Sequence, residues 1–244
     1  MKAIILAAGR GSRMGMLTDD KPKCQVTVLG KTLLQHCMDT LQSAGFSVED
    51  IGIVTGYRKE AISEQGVRFF WNSRWGTTNM VYTLTKAREW LEQEPCIVCY
   101  SDVIFHKNVI LRLKQCQDDI ALPYFTGYWD LWSKRFSNPL DDLEVFRHAG
   151  GKLVEIGCKP ECKDQVQGQY MGLLRFSPFG WRQVEKLIDS PLVEKIDMTT
   201  LLQKLLENGN NISVYASHEP WLECDTVQDM HLYEQMYGGS WPFI

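Results

Sequence analysis

Lys2-Ala3-Ile4-Ile5-Leu6-Ala7-Ala8-Gly9-Arg10-Gly11-Ser12-Arg13-Met14-Gly15 passes from an apolar run straight into a loop of small and cationic residues. The apolar part follows a single lysine and is too short for the core of a signal peptide, so it reads as a buried first β-strand. In the loop, small side chains let backbone N–H groups approach a ligand, and glycines allow torsions closed to other residues. Leu6, Ala7, Ala8, Gly9, Arg10, Gly11 and Ser12 are therefore candidate positions for holding the phosphates of a nucleotide. A P-loop would end in Gly-Lys-Ser/Thr, whereas Gly15 precedes Met16. A dinucleotide fingerprint fails too. The glycines at 9, 11 and 15 are spaced one residue too widely, and Val28-Leu29-Gly30-Lys31 stands where an acidic residue belongs.

Outward from this loop, apolar runs alternate with segments of helical period. The expected class is α/β: a Rossmann-like, mostly parallel sheet flanked by helices. A helix is expected over 31–44, where Leu33, Leu34, Cys37, Leu41 and Ala44 recur at helical spacing and Gly45 stops it. Strands follow at 51–55 and 67–71, a helix at 79–91, a strand at 96–101, a helix at 108–117 and a strand at 120–124. Residues 125–142 look irregular and aromatic. A hairpin is expected across Gly150-Gly151, from 143–148 to 152–157, followed by a strand at 170–176. Helices at 180–188, 198–207 and 227–237 and a strand at 211–215 complete the chain. No linker rich in Pro, Gly or Ser divides it. The expectation is one domain over 1–244, with 125–176 as a small aromatic-rich insertion that forms an acceptor-binding subdomain.

The 244 residues carry 26 Lys+Arg against 30 Asp+Glu, a net charge of −4, which lacks the basic field a nucleic-acid partner requires. No apolar stretch approaches the roughly 20 residues that cross a bilayer, so neither a membrane nor nucleic acid is an expected partner. Cys96 and Cys99 form a C-x-x-C, but they lie on an expected strand, where residues three apart face opposite ways. With Cys158 and Cys162 lacking a second ligand pair, the cysteines read as reduced thiols of a cytoplasmic protein. Residues 1–31 depart from the overall charge: six cations face only Asp19 and Asp20. A cationic loop on an acidic chain suits a small polyanion such as a nucleoside triphosphate; the competing reading is a solvated surface loop.

Three carboxylates are candidates for the divalent cation that bridges the phosphates of a nucleoside triphosphate. Asp102 ends the expected strand Cys96-Ile97-Val98-Cys99-Tyr100-Ser101, at the carboxyl edge where α/β sheets bind ligands. Glu223 and Asp225 are two apart, so on an extended segment they share a face and can reach one ion, although Asp225 can equally cap the helix that begins at Val227.

Leu6-Ala7-Ala8-Gly9-Arg10-Gly11-Ser12-Arg13-Met14 with Lys21-Pro22-Lys23 resembles the opening motif of the sugar-phosphate nucleotidyltransferase superfamily. Val28-Leu29-Gly30-Lys31-Thr32-Leu33-Leu34, the segment 151–160 ending in Cys158-Lys159-Pro160, and the segment 221–229 are similar to its later landmarks. The resemblance implies attack of a phosphate or phosphonate oxygen on the α-phosphorus of a nucleoside triphosphate, with Mg²⁺ as cofactor. It implies Arg13 on the β- and γ-phosphates, Lys23 on the α-phosphate and Lys159 on the acceptor's phosphate. The Glu-x-Asp at 223–225 departs from the superfamily's usual Asp and Gly, which leaves open whether Glu223 or Asp225 ligates the metal.

Within the superfamily, the run 71–80, the segment 168–174 and the spaced residues Trp132, Arg135, Phe136, Pro139, Leu140, Asp142 and Glu144 look like the branch of cytidylyltransferases that act on phosphocholine and small phosphonates. The implied donor is CTP, its base read by Asn72, Thr77, Thr78, Asn79, Ala7, Ala8 and Ser101. The alternative is a sugar-1-phosphate nucleotidyltransferase. Between 124 and 136, six of thirteen residues are aromatic. Aromatic faces attract ammonium groups, so Tyr124, Trp129 and Trp132, with Asp142, Glu144 and Tyr170, are candidate acceptor contacts. The aromatics would equally serve to pack the segment onto the sheet. A homodimer is left open.

Overall fold

The chain alternates strands and helices as its apolar periodicity requires, and the computed structural model describes residues 1–188 and 191–242. In chain order the strands are β1 (Lys2–Ala7), β2 (Thr27–Val28), β3 (Lys31–Thr32), β4 (Ile51–Thr55), β5 (Arg68–Trp71), β6 (Cys96–Tyr100) and β7 (Val103–Phe105). They continue with β8 (Ile120–Phe125), β9 (Val145–Ala149), β10 (Lys152–Gly157), β11 (Gln169–Tyr170), β12 (Leu173–Phe176), β13 (Ser213–Ser217) and β14 (Trp221–Glu223). The α-helices are α1 (Leu33–Ser43), α2 (Met80–Leu84), α3 (Arg88–Gln93), α4 (Lys107–Gln115), α5 (Tyr128–Arg135), α6 (Pro178–Ile188), α7 (Met198–Glu207) and α8 (Val227–Tyr237).

The main sheet has the order β5-β4-β1-β6-β12-β8-β13-β10-β9, with β11 added to β8. β5, β4, β1 and β6 pair in parallel. β12 runs against both β6 and β8, and β13 is parallel to β8, so β5, β4, β1, β6, β8 and β13 all point one way. This is the mostly parallel α/β sheet the sequence led us to expect. Because helices cover both faces, β1 is apolar on both: Ala3 and Ile5 enter one core, Ile4 and Leu6 the other. Cys99 and Cys96 likewise divide between the two cores, and all the cysteines are free.

Two regions differ from the sequence-based expectation. Residues 128–135 form helix α5 where an irregular stretch was expected. Tyr128, Leu131 and Trp132 bury one face of it, and Arg135 continues the same helical stripe. A run of aromatics conceals that stripe when only apolar spacing is counted. The segment 125–176, expected as a small insertion, contributes its strands to the main sheet. β9, β10, β11 and β12 all belong to the main sheet, and β12 occupies its middle because each of its residues, Leu173 to Phe176, is buried. The expected helix 79–91 is divided into α2, a 3-10 turn at Thr85–Ala87 and α3. There the Thr83 and Thr85 hydroxyls donate to the carbonyls of Asn79 and Tyr82 and compete with regular helix bonding.

A two-stranded antiparallel ladder outside the main sheet, β7 with β14, aligns Val103 with Glu223. It carries two distant chain segments to the carboxyl edge of β6, where the site lies.

Gly180 lies in the first turn of α6, its N–H bonded to the Ser177 hydroxyl, and a Cβ there would run into the Asp119 carbonyl. Gly180→Ala should lower the free energy of unfolding by about 1–3 kcal/mol, read as a lower urea midpoint with unchanged slope.

Candidate functional site

β1 ends at Ala7, and the chain turns through Ala8 and Gly9 into a 3-10 segment at Ser12–Thr18. Gly11 is obligatory in this turn. It has φ +75, and a Cβ on it would sit 2.6 Å from the Cβ of Lys23. The loop is thereby pressed against the Lys23 stem. Lys23, on a short 3-10 turn after Pro22, is buried and extends its ammonium between two carboxylates. The Nζ donates to Asp102 Oδ2 at 2.6 Å and to Asp225 Oδ1 at 2.5 Å. Asp102 follows the carboxyl end of β6, Asp225 follows β14, and the Cys224 N–H donates to the Asp102 carbonyl at 2.9 Å to hold the two segments together. Arg13 joins from the loop, its Nη2 donating to Asp225 Oδ1 at 3.0 Å while 63% of its side chain is exposed.

The electrostatics are those of a partly dehydrated charge cluster. Burial opposes the charge on Lys23, but Asp102 and Asp225 outweigh it and raise the ammonium pKa above its ordinary value. Burial also pushes the Asp225 carboxyl up, yet Lys23, Arg13 and Arg135 outweigh that and hold it below the usual carboxylate range. Glu223 responds in the opposite sense. Burial and then the neighbouring charge of Asp225 push it up to about 8 against the pull of Arg135.

Lys23 stands where two clefts meet. The first is bounded by Leu6, Ala8 and Gly9 on one side, by Tyr100, Ser101 and Asp102 at the floor, and by Trp75, Thr78, Asn79 and Thr83 opposite. Of the expected nucleotide-binding positions, Leu6, Ala8, Gly9, Thr78, Asn79 and Ser101 line this cleft, whereas Ala7, Gly11 and Ser12 do not, nor do Arg10, Asn72 and Thr77. Arg10 points to Asp19 at 2.8 Å and lies over the Tyr57 ring. Asn72 is fully buried and works as a brace: its amide donates to the Thr78 and Thr83 hydroxyls and its oxygen accepts the Arg74 N–H. Thr77 donates its hydroxyl to the Arg74 carbonyl and offers its own carbonyl to Lys195. The loop is further tied by Arg74, which binds both oxygens of Glu194.

The second cleft shares Met80 and Tyr100 with the first and contains Arg13, Asp142, Glu144, Tyr170, Asp197, Glu223 and Asp225. Burial and then the charge of Asp197 raise the Glu144 pKa. Of the expected acceptor contacts, Asp142, Glu144 and Tyr170 are here, but the aromatic cage is not. Trp132 is completely buried, stacked on Trp221 with ring centroids 5.9 Å apart, and its indole N–H donates to Asp142 Oδ2. Trp129 faces the Lys163 ammonium. Tyr124 packs on Phe146 and His148. Trp132 is occupied in packing because α5 turns the face that carries it into the core, and Tyr124 is packed on β8. Lys159 lies outside both clefts, 68% exposed and 3.5 Å from Asp141.

Nor does the expected Asp102, Glu223 and Asp225 set assemble as one cluster. Among the described residues, no three carboxylate, imidazole or thiol side chains are grouped to hold a metal ion. Asp102 and Asp225 share the Lys23 ammonium, whereas Glu223 Oε2 accepts from Arg135 Nη1 at 3.1 Å. The sequence reading assigns Arg135, Asp229 and Asp197 no role in the site. Arg135 was discoverable through the helical spacing of Tyr128, Leu131, Trp132 and Arg135, and Asp197 through its place before the helical segment 198–207.

Residues 3–169 match the MobA-like NTP transferase domain. The chain is 32% identical over 251 residues to the CTP:phosphoglutamine cytidylyltransferase of Campylobacter jejuni, covering 95% of this chain and 98% of that protein. It is 38% identical over 246 residues to the choline-phosphate cytidylyltransferase of Streptococcus pneumoniae, covering 98% and 91%. In structure it is similar to the inositol-1-phosphate CTP transferase from T. maritima, with a TM-score of 0.75 and 20% identity over 100% of this chain and 97% of that one.

With Trp132 packed on Trp221 in the core, Trp132→Ala should lower the unfolding free energy by about 3–5 kcal/mol, measured by chemical denaturation.

Proposed function

The chain belongs to the MobA-like NTP transferase family, and from that membership we propose that it is a CTP-dependent cytidylyltransferase. In this reaction an oxygen of a small phosphate or phosphonate acceptor attacks the α-phosphorus of CTP. A new P–O bond forms to the acceptor, the bond to the bridging oxygen breaks, and pyrophosphate leaves. The observation that carries the reading is the position of Lys23, at the junction of a cleft built from the glycine loop and a cleft lined by acidic residues.

Two anions must approach each other, so positioning and charge neutralisation supply most of the catalysis. Lys23 meets the α-phosphate as negative charge moves onto the leaving oxygen. Arg13, exposed and held at Asp225, reaches the β- and γ-phosphates. Ala8 and Gly9 leave room for the triphosphate, since a Cβ on Gly9 would meet nothing within 4 Å. Thr78, Asn79 and Ser101 are the polar groups available to the base.

Mg²⁺ fits the donors present. Asp102 Oδ1 is buried with no hydrogen-bond partner among the described residues, and Asp225 lies across the same ammonium. Such a pair of carboxylates is the protein share of an Mg²⁺ site completed by phosphate oxygens and water. When bound, the ion would neutralise phosphate oxygens and hold the triphosphate in register. Asp102 and Asp225 are the residues that would hold it.

Asp142, Glu144 and Asp197 give the second cleft an anionic lining that complements the cationic end of an aminoalkylphosphonate or phosphocholine-type acceptor. A hexose 1-phosphate, the alternative acceptor, brings hydroxyls and no cation to that wall. No helix among the described residues is long and apolar enough to cross a membrane, and the free thiols accord with a cytoplasmic enzyme.

Pyrophosphate release should be fastest with CTP and Mg²⁺ when the acceptor is 2-aminoethylphosphonate or phosphocholine. Faster release with UTP or dTTP and a hexose 1-phosphate would establish the sugar alternative, and silence in every combination would end the reading. Lys23→Ala should be less stable, since it leaves two carboxylates facing each other, and the folded variant should turn over about two orders of magnitude or more slowly, as loss of an oxyanion donor does. Near-native turnover in that variant would remove Lys23 from the chemistry.

A further inference from the structure

We propose that Arg135 is a positioning residue of the reaction site, fixing Asp225 through a buried carboxylate network. The proposal rests on the cytidylyltransferase reading above.

Arg135 is the last residue of α5, yet its side chain is 0% exposed. The guanidinium lies over the Trp132 and Phe136 rings, 4.6 and 5.1 Å from their centroids. Its Nε and Nη2 donate to the two oxygens of Asp229 at 2.8 and 3.2 Å, and its Nη1 donates to Glu223 Oε2 at 3.1 Å. Its Nη2 is 3.8 Å from Asp225 Oδ2, on the side opposite Lys23. Asp229 in turn accepts the backbone N–H groups of Asp225 and Thr226, each at 2.9 Å, within the capping box of α8. One guanidinium therefore controls the Asp225 side chain directly and its backbone through Asp229.

Packing alone does not require this arrangement. Glu223, Asp225 and Asp229 converge on one guanidinium, and Arg135 is the cation set between them. Its planar fork satisfies Asp229 and Glu223 together, which the point charge of a lysine cannot do. With the fork removed, Asp225 would turn toward Lys23 and Arg13 alone, and its second oxygen would lose the orientation that leaves it available. Groups that orient a metal-binding carboxylate change metal affinity by about 10–100-fold when they are altered.

The test compares full-length wild type with Arg135→Lys and Asp229→Asn. The second variant keeps an amide oxygen for the α8 cap while weakening the hold on the guanidinium. Mn²⁺ is titrated at saturating CTP and followed by water-proton relaxation, CTP binding is measured in EDTA, and thermal unfolding is recorded. Both variants should weaken Mn²⁺ binding by about 10–100-fold and leave metal-free CTP binding unchanged. Native-like Mn²⁺ binding in folded variants overturns the proposal even if both melt earlier. Equal loss of metal-free CTP binding overturns it as well, because the damage would then be general. Should one variant fail to fold, the other decides. Absence of Mn²⁺–CTP binding in wild type would instead bring down the functional reading on which the proposal stands.

Discussion

An ammonium held between two carboxylates, Lys23 between Asp102 and Asp225, is the constraint on which the site is built. Two carboxylates that close would repel one another in a partly dehydrated position, and a buried lysine without them would lose its proton or its place. Each charge is stable there only because the others are present. The three residues come from parts of the chain separated by 79 and 202 positions, so their meeting is a property of the fold. Gly11 makes space for the lysine stem, and the β7–β14 ladder with the Cys224 bond brings Asp102 beside Asp225.

Around that pole the surface divides by charge. The cleft formed by the glycine loop presents small residues and backbone, which suits a triphosphate that carries its own charge. The other cleft concentrates acidic side chains in a protein whose net charge is only −4. Lys23 lines the first cleft and Arg13 the second, and both donate to Asp225. Asp225 is held low because Lys23, Arg13 and Arg135 outweigh its burial, whereas Glu223, two residues away, is raised because burial and the charge of Asp225 outweigh Arg135.

The opening loop, the alternation of strands and helices, and Asp102 at a strand end were legible because each depends on local sequence. β1 must be apolar on both faces to lie inside a parallel sheet, and Lys2 to Ala7 shows this directly. The aromatic stretch was not legible in the same way. An indole looks alike in sequence whether it faces a ligand or, as Trp132 does, stacks on Trp221 across 89 positions. Asn72 was open to the same confusion: a polar side chain beside an expected binding loop proved to brace that loop from within. Burial and partnership separate such cases, and neither is written in a single segment.

The sequence by itself determined the α/β class, the phosphate-suited turn after β1, and the identity of the charged groups available for chemistry, because periodicity, glycine torsions and side-chain charge are local properties. Only the tertiary structure decided which charges meet. It joined Lys23 to Asp102 and Asp225, assigned Glu223 to Arg135, put the tryptophans into the core and left Lys159 outside both clefts. Those outcomes depend on distances across the sheet, which the packing of distant segments sets and no short stretch of chain can encode.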